Sequence, residues 1–439
     1  MILSRPSIRL FPRAVSLSLV VSLLLAGPVA CFGPTRVAPV GAEGPAFSLQ
    51  HDEQRLWKQS EEEERQLRAK ASVYQDPILD DYLNQVAQRL VPPEIEQQGV
   101  LKIRVSTIKD PALNAFTFPT GSVYVHTGLL ARLENEAQLA TVLGHEITHA
   151  TNRHALEFQR SARNKQIGFS IAALVASIAV ANAAGNRAER GDISGAYVYN
   201  QVGNILVQLG MDLAFLAAVN GFGRELEREA DQVGLQRMAA AGYDPRQAPR
   251  LFELLKDDHG DDPKMEVFFF GSHPRLDERL GDMQGLVAAR YPGAAATGGV
   301  ADTRDFRMRT RVLVRDDAAQ NLDAGRYGHA EEDLKKVLEL TPNDPVAHDL
   351  SGRLAEKRAV ESRDPEEAKR LLAQARASYE EAMRLDATYA DPFRSAGILH
   401  YKAGEKKEAL AAFRRYLALK PDAPDAQQIK DYILELEAR

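Results

Sequence analysis

The stretch TVLGHEITHATNRH, residues 141–154, places three histidines and a glutamate within fourteen positions. On an α-helix, residues four apart share a face, so His145 and His149 can offer neutral imidazoles to one ion. Glu146 projects from the adjacent position, where a carboxylate can take a proton from a water polarised by that ion. One helical turn thus supplies two metal ligands and a general base, the pattern expected of a zinc site. The apolar run just before His145 argues against a fully solvated helix end.

A catalytic zinc needs a third protein ligand and an open position. One class of zinc peptidase supplies a histidine six residues after the second, but that position is Ala155, and the glycine expected at 152 is Asn152. On a continuous helix His154 lies nearly opposite His145, which suits packing or a surface role better than ligation. The later stretch ELEREAD offers Glu225, Glu227 and Glu229. Only Glu227 stands four residues before Asp231, on the same helical face. Glu227 is therefore the expected third ligand, with Asp231 accepting the far N–H of a ligand histidine. The competing reading is a charged surface helix with ion pairs to Arg224 and Arg228.

The elements around these residues are legible from their periodicity. Residues 51–70 read as a charged surface helix containing Leu56, Trp57 and Leu67. Asp76 and Pro77 open a helix with Ile78, Tyr82, Val86 and Leu90 at helical spacing. LKIRVSTI (101–108) alternates as a strand does, and residues 114–128 read as two short strands about a Pro-Thr-Gly turn. An exposed edge there could pair with an extended peptide. Residues 129–154 and 224–242 read as helices, the second closed by Gly242. Two apolar segments, 167–184 and 205–222, are expected to pack over the catalytic helix, a membrane-facing surface being the alternative.

At 439 residues, two or three domains are expected. The net charge of −6, from 55 basic and 61 acidic residues, disfavours nucleic acid as a partner. A single cysteine, Cys31, excludes intrachain disulfides and a thiolate zinc cluster. Residues 1–42 read as an export signal and leader: Arg5, Arg9 and Arg13 precede an apolar run from Ala14 to Ala26. Either lipidation of Cys31, with membrane association, or a soluble start near Glu43 fits this segment. Residues 32–50 read as disordered, 51–290 as a metalloprotease domain, 291–305 as a linker and 306–439 as tetratricopeptide repeats. Ala330, Leu334 and Pro342, then Ala409, Phe413 and Pro421, carry the repeat offsets; a middle unit with Ala375 and Tyr379 is displaced by about twelve residues. The tail contains no metal ligands at useful spacing, so a chain ending near residue 300 is expected to keep its metal.

HEITH, EREAD and SHPRLDER, in that order, resemble the gluzincin family that contains HtpX and the CAAX prenyl endopeptidases. With an export signal and a repeat tail, the chain is similar to that family's BepA type of bacterial periplasmic metalloprotease. The catalytic resemblance runs from about Pro77 to Leu280. It implies a mainly α, zincin-like domain with a small β-sheet and one Zn²⁺ held by His145, His149 and Glu227, with Glu146 as general base. SHP followed by Arg279 matches the family's His-Pro…Arg element, which makes His273 a site residue. His273 could plug the open zinc position or donate to the oxyanion. Arg153 and His154 match the extended motif, with no chemistry assignable from the sequence. The resemblance further implies a periplasmic endopeptidase that cleaves unfolded or misassembled envelope proteins in outer-membrane protein quality control. The repeats would recruit substrate or assembly machinery. The rival reading is a periplasmic chaperone or scaffold with a latent metalloprotease domain.

Overall fold

In the computed structural model, residues 36–42, 47–164, 222–261, 274–293 and 299–438 are described. Residues 1–35 with Cys31, both apolar segments apart from Phe222, and His273 lie outside them. The fold is mainly α with one small sheet. Helix α1 (His51–Lys70) buries Leu56 and Leu67 and, less expectedly, Glu53, Ser60 and Glu63. In α2 (Pro77–Leu90) the Asp76 carboxylate accepts from the N–H groups of Ile78 and Leu79 at 3.0 and 3.1 Å, and Pro77 needs no partner at the first helical position. Its buried face is Leu79, Tyr82, Leu83, Val86, Ala87 and Leu90, while Ile78 is 59% exposed. The expected stripe therefore begins one residue late, because Leu79, Leu83, Val86 and Leu90 make a broader apolar surface than one anchored on Ile78.

After the short α3 (Pro93–Gln98) come β1 (Arg104–Ile108), β2 (Ala115–Thr117) and β3 (Ser122–His126). The order is β1-β3-β2, with β1 parallel and β2 antiparallel to β3. Gly121, at φ +94°, makes the tight turn between β2 and β3. β2 is an edge strand, and its three residues are buried.

Two helices then carry the chain beneath the sheet: α4 (Thr127–Arg132) and α5 (Glu136–Thr151), the second buried at every position. The helical stretch expected over 129–154 is thus broken twice, at residues 133–135 and again at 152–153, where α6 (His154–Asn164) begins. Helices α7 (Arg224–Ala240) and α8 (Gln247–Asp261) pack on α5, and α9 (Pro274–Arg290) packs on α7 and α8.

The segment expected to be a disordered leader is anchored where it is described. Val40 and Phe47 are buried, and the Val40 N–H donates to the Thr151 carbonyl at 2.8 Å. The expected linker is likewise tied down at its described end. Ala301 accepts from the Ala137 N–H at 2.9 Å, and Val300 bridges to Tyr243.

Seven helices complete the chain: α10 (Arg304–Asp323), α11 (Tyr327–Leu340), α12 (Pro345–Glu361), α13 (Pro365–Leu385), α14 (Asp391–Lys402), α15 (Lys406–Leu419) and α16 (Ala426–Ala438). They pack as successive pairs. A Cβ on Gly352 would meet the Tyr379 ring at 2.4 Å, and one on Gly397 the Phe413 ring at 2.5 Å, so glycine is what lets each pair close. The extra residues of the middle pair lengthen α12 and α13 instead of forming a loop. Phe306, Leu313, Val314, Ala318, Leu322, Ala330 and Leu334 belong to the same buried cluster as Leu83 and Leu139. The first tail helices are therefore continuous with the catalytic core, whereas Ala409, Phe413 and Tyr416 form a separate cluster.

Candidate metal centre

Helices α5 and α7 come into backbone contact at two glycines. A Cβ on Gly144 would stand 3.0 Å from the Gly234 carbonyl oxygen, and one on Gly234 would stand 2.8 Å from the His145 nitrogen. With no side chains at the crossing, the residues flanking it face one another: His145 opposite Asp231, and His149 beside Glu227.

Three of those residues converge. One ligand atom each from His145, His149 and Glu227 lies within 4.8 Å of the others, and all three residues are buried. The two Nε2 atoms are 2.9 Å apart, and the Glu227 carboxylate lies 3.5 Å from His145 Nε2 and 3.9 Å from His149 Nε2. Two imidazole nitrogens and a carboxylate oxygen facing one point in a dry interior form a donor set suited to zinc. Glu225, the first of the weighed glutamates, is exposed; Glu229 is half-buried and lies toward Asn152 and His154.

The surroundings orient these side chains. Asp231 Oδ1 lies 3.0 Å from His145 Nδ1, so the ring turns its Nε2 toward His149 and Glu227. Arg279, buried on α9, donates to Asp231 Oδ2 and Oδ1 at 2.8 and 2.7 Å and stands 3.7 Å from Glu227. Its guanidinium also sits over the Phe252 ring at 5.0 Å. The Phe222 N–H donates to Glu227 Oε1 at 2.7 Å, and its ring lies 4.7 Å from that of His149. Neither Phe222 contact was foreseeable from the sequence, where the residue closes an apolar segment.

The electrostatics follow from burial and charge. Burial pushes the Glu146 carboxyl up to about 7; Glu227 adds to this, and His145 and Arg279 oppose it. Burial works against a charged His145, but hydrogen bonds with Asp231 and Glu227 overcome it and raise the imidazole to about 9. His149 is held well below its ordinary value by burial and by His145. For Glu227, burial is outweighed by the His145 hydrogen bond and the charges of His149, His145 and Arg279, which hold its carboxyl below the usual range. The site thus presents one anionic ligand, one carboxyl poised near neutrality, one imidazole, His149, held neutral, and one, His145, held protonated, whose Nε2 proton a bound metal would displace.

The structure brings together His145, Glu146, His149, Glu227, Asp231 and Arg279. It also brings in His154. Its Nδ1 lies 2.8 Å from His149 Nδ1 and its side chain is fully buried, where the sequence suggested packing or a surface role on a continuous helix. Arg153, at φ +62°, breaks that helix. The dipeptide was visible in the sequence, but the backbone reversal that gives it meaning was not.

Residues 77–287 match peptidase family M48. The beta-barrel assembly-enhancing protease of Escherichia coli K12 is 28% identical over 65% of this chain and 60% of its own length. Its counterpart in Yersinia pestis is 27% identical over 70% of this chain and 57% of its own. The mitochondrial metalloendopeptidase OMA1 of Arabidopsis thaliana is 36% identical over 36% of this chain and 26% of its own. The chain thus spans little more than half the length of the assembly-enhancing proteases it matches.

Proposed function

We propose that the peptidase family M48 domain at residues 77–287 makes this protein a zinc endopeptidase, with His145, His149 and Glu227 as the metal ligands. The single observation that carries this reading is the convergence of those three buried side chains beside Glu146, a carboxyl whose burial sets it near neutrality. The bound metal would polarise water and the scissile carbonyl. Glu146 would take the proton from the attacking water and return it to the leaving amine. Asp231 and Arg279 would act indirectly: Asp231 by turning His145 Nε2 toward the ion, Arg279 by neutralising part of the charge on Asp231 and Glu227. His273 would serve either as plug or as oxyanion donor.

Two of the relatives are named for enhancing beta-barrel assembly, and residues 1–42 read as an export signal, so unfolded or misassembled outer-membrane proteins are the proposed substrates and a periplasmic location the proposed site of action. Among the described residues no helix is long and apolar enough to cross a membrane. The paired helices after residue 304 are read as tetratricopeptide repeats that recruit substrate or assembly machinery through their exposed faces.

The decisive experiment compares Glu146→Gln with His145→Ala and Glu227→Ala. Glu146→Gln should retain about one zinc per chain and lose roughly 10²–10⁴-fold in turnover of an unfolded protein. Each ligand variant should lose the metal. A Glu146→Gln protein as active as wild type would refute the mechanism, whereas a wild-type protein that binds zinc and shows no turnover would favour a latent domain on a chaperone.

A further inference from the structure

Given the metal reading above, on which this step rests, we infer that His154 is a positioning residue that holds His149 toward the metal, through a backbone reversal at Arg153 that the N-terminal segment keeps in place.

On an uninterrupted helix, His154 would sit about 140° around the axis from His149, and the two rings could not meet edge to edge. Helix α5 ends at Thr151 and α6 starts at His154. Between them Arg153 adopts φ +62°, the one positive φ at a non-glycine residue among the described residues. Such a conformation costs on the order of 1–3 kcal/mol and persists only where the surroundings impose it. Here they do. Arg153 Nε donates to Glu53 Oε1 at 2.7 Å, Nη2 donates to Glu53 Oε2, and Nη1 donates to the Ala38 carbonyl at 3.0 Å. Its guanidinium lies over the Phe47 ring at 5.2 Å, and both Arg153 and Glu53 are buried. Ala38, Phe47 and Glu53 thus serve as the clamp on the end of the helix that bears His145 and His149.

The reversal carries the His154 imidazole under His149, with ring centroids 4.9 Å apart and planes at 78°. Because His149 presents Nε2 to the ion, its hydrogen resides on Nδ1 and is donated to His154 Nδ1 across 2.8 Å. The hydrogen of His154 is then on Nε2, which faces Glu229 Oε1 at 3.8 Å. Asn152 Nδ2 donates to that same oxygen and fixes the carboxylate. His145 is therefore backed by Asp231 at 3.0 Å and His149 by the His154 ring at 2.8 Å, with the Glu229 carboxylate 3.8 Å from His154 Nε2, close enough to act through its charge but beyond hydrogen-bond reach.

The test is zinc retention in the full chain, read as the rate of zinc loss to a chelator, with thermal melting of the zinc-free protein as a fold check. His154→Phe keeps the bulk and removes the acceptor; zinc should leave about 10–100-fold faster. His154→Asn places an oxygen near the position of Nδ1 and should restore much of that retention. Should His154→Phe not fold, Glu229→Gln gives the same reading, with zinc leaving severalfold faster than from wild type. If His145→Ala strips the metal while His154→Phe (or, failing its folding, Glu229→Gln) holds zinc as wild type does, the inference is overturned and the metal reading stands. If His145→Ala holds zinc as well as wild type, the metal reading itself fails.

Discussion

Gly234 lies so close to the catalytic helix that a Cβ on it would stand 2.8 Å from the backbone nitrogen of His145. The atom it would strike is backbone, in the middle of a helix buried at every position, so neither partner can step aside cheaply. Gly234→Ala should push α7 away from α5 and pull Glu227 and Asp231 from the histidines. The expected cost is about 1–3 kcal/mol of stability together with loss of zinc. Metal content and melting temperature of the purified variant check this. Full zinc occupancy in Gly234→Ala would show that the crossing tolerates a methyl group and that Gly144 alone sets the approach.

How much of this was legible in the sequence depends on which residues face which. His145 and His149 could be picked out because helical spacing decides which side chains share a face; Glu227 was singled out by its four-residue spacing from Asp231, and only the histidine pair favoured it over a charged surface helix. The Gly144–Gly234 crossing was not legible, since nothing in either glycine's local sequence says that the two meet. His154 packs and stands outside the ligand group, as in one of the two roles read from the sequence, but its contact with His149 was not legible: helical periodicity assumes an unbroken helix, and the break depends on Glu53, a hundred residues away. The anchoring of residues 36–42 and 47–50 escaped notice because the Pro, Gly and Ala composition there matches that of disorder, while two well-placed apolar residues, Val40 and Phe47, hold them. Tertiary contacts decided each of these cases.

The tail boundary changes what a truncation should do. A chain ended near residue 300 loses Phe306, Leu313, Val314, Ala318 and Leu322, all part of the catalytic core, and also the Lys336 ammonium that donates to the carbonyls of Ala131 and Arg132 at 2.8 and 3.2 Å. Such a chain should be insoluble or molten and hold no zinc, contrary to the expectation from sequence. A chain ended after Asp386 removes the outer cluster around Phe413 and Tyr416 and takes Ala396 and Leu399 from the cluster around Tyr379, but leaves the cluster that contains Leu83 and Leu139 whole, and should keep both zinc and a cooperative melt. A soluble, zinc-bound 300-residue product would show that the first tail helices are dispensable.

The junction also carries a pH dependence. Asp317 and Asp333 are buried together, both receiving hydrogen bonds from Asn321 Nδ2, at 2.8 and 3.0 Å. Burial and the charge of Asp333 push Asp317 up to about 8, against the cations Arg326 and Arg132; burial raises Asp333 too, against Lys336 and Arg132. A carboxyl whose folded value is raised contributes stability that is complete below the unfolded carboxylate range and is lost as pH rises toward the folded value. The junction should therefore weaken between about pH 4 and 8. Asp317→Asn, which keeps the shape and removes the charge, should gain on wild type as pH rises through that window, by at least about 2 °C in melting temperature at pH 8 relative to pH 5. A difference between the two proteins that does not change with pH would mean that the pair is ionised and compensated throughout.

Glu136 ties the tail to the catalytic helix at a single carboxylate. It stands in the first turn of α5, is 2% exposed, and accepts from Tyr82 Oη, Tyr243 Oη and Arg89 Nη2, each at 2.7 Å, and from Thr303 Oγ1. Thr303 is at the same time the N-cap of α10, accepting from the Phe306 N–H at 3.0 Å. One side chain thus joins the start of the tail to the start of the helix that bears His145 and His149, and a carboxylate there also favours the helix N-terminus. The hydrogen bonds hold the Glu136 carboxyl below its usual range despite its burial. Its contribution is therefore present at neutral pH and lost on acidification through that lowered value. Glu136→Gln keeps the size but supplies one carbonyl oxygen in place of two anionic acceptors, so three hydroxyls and a guanidinium must compete for it. A loss of about 1–3 kcal/mol is expected. Thr303→Val, which breaks only the link to the tail, should cost less at equilibrium and should speed amide exchange in the first turn of α5. Exchange unchanged in both variants would mean that α5 is held by core packing alone and that the tail joins it passively.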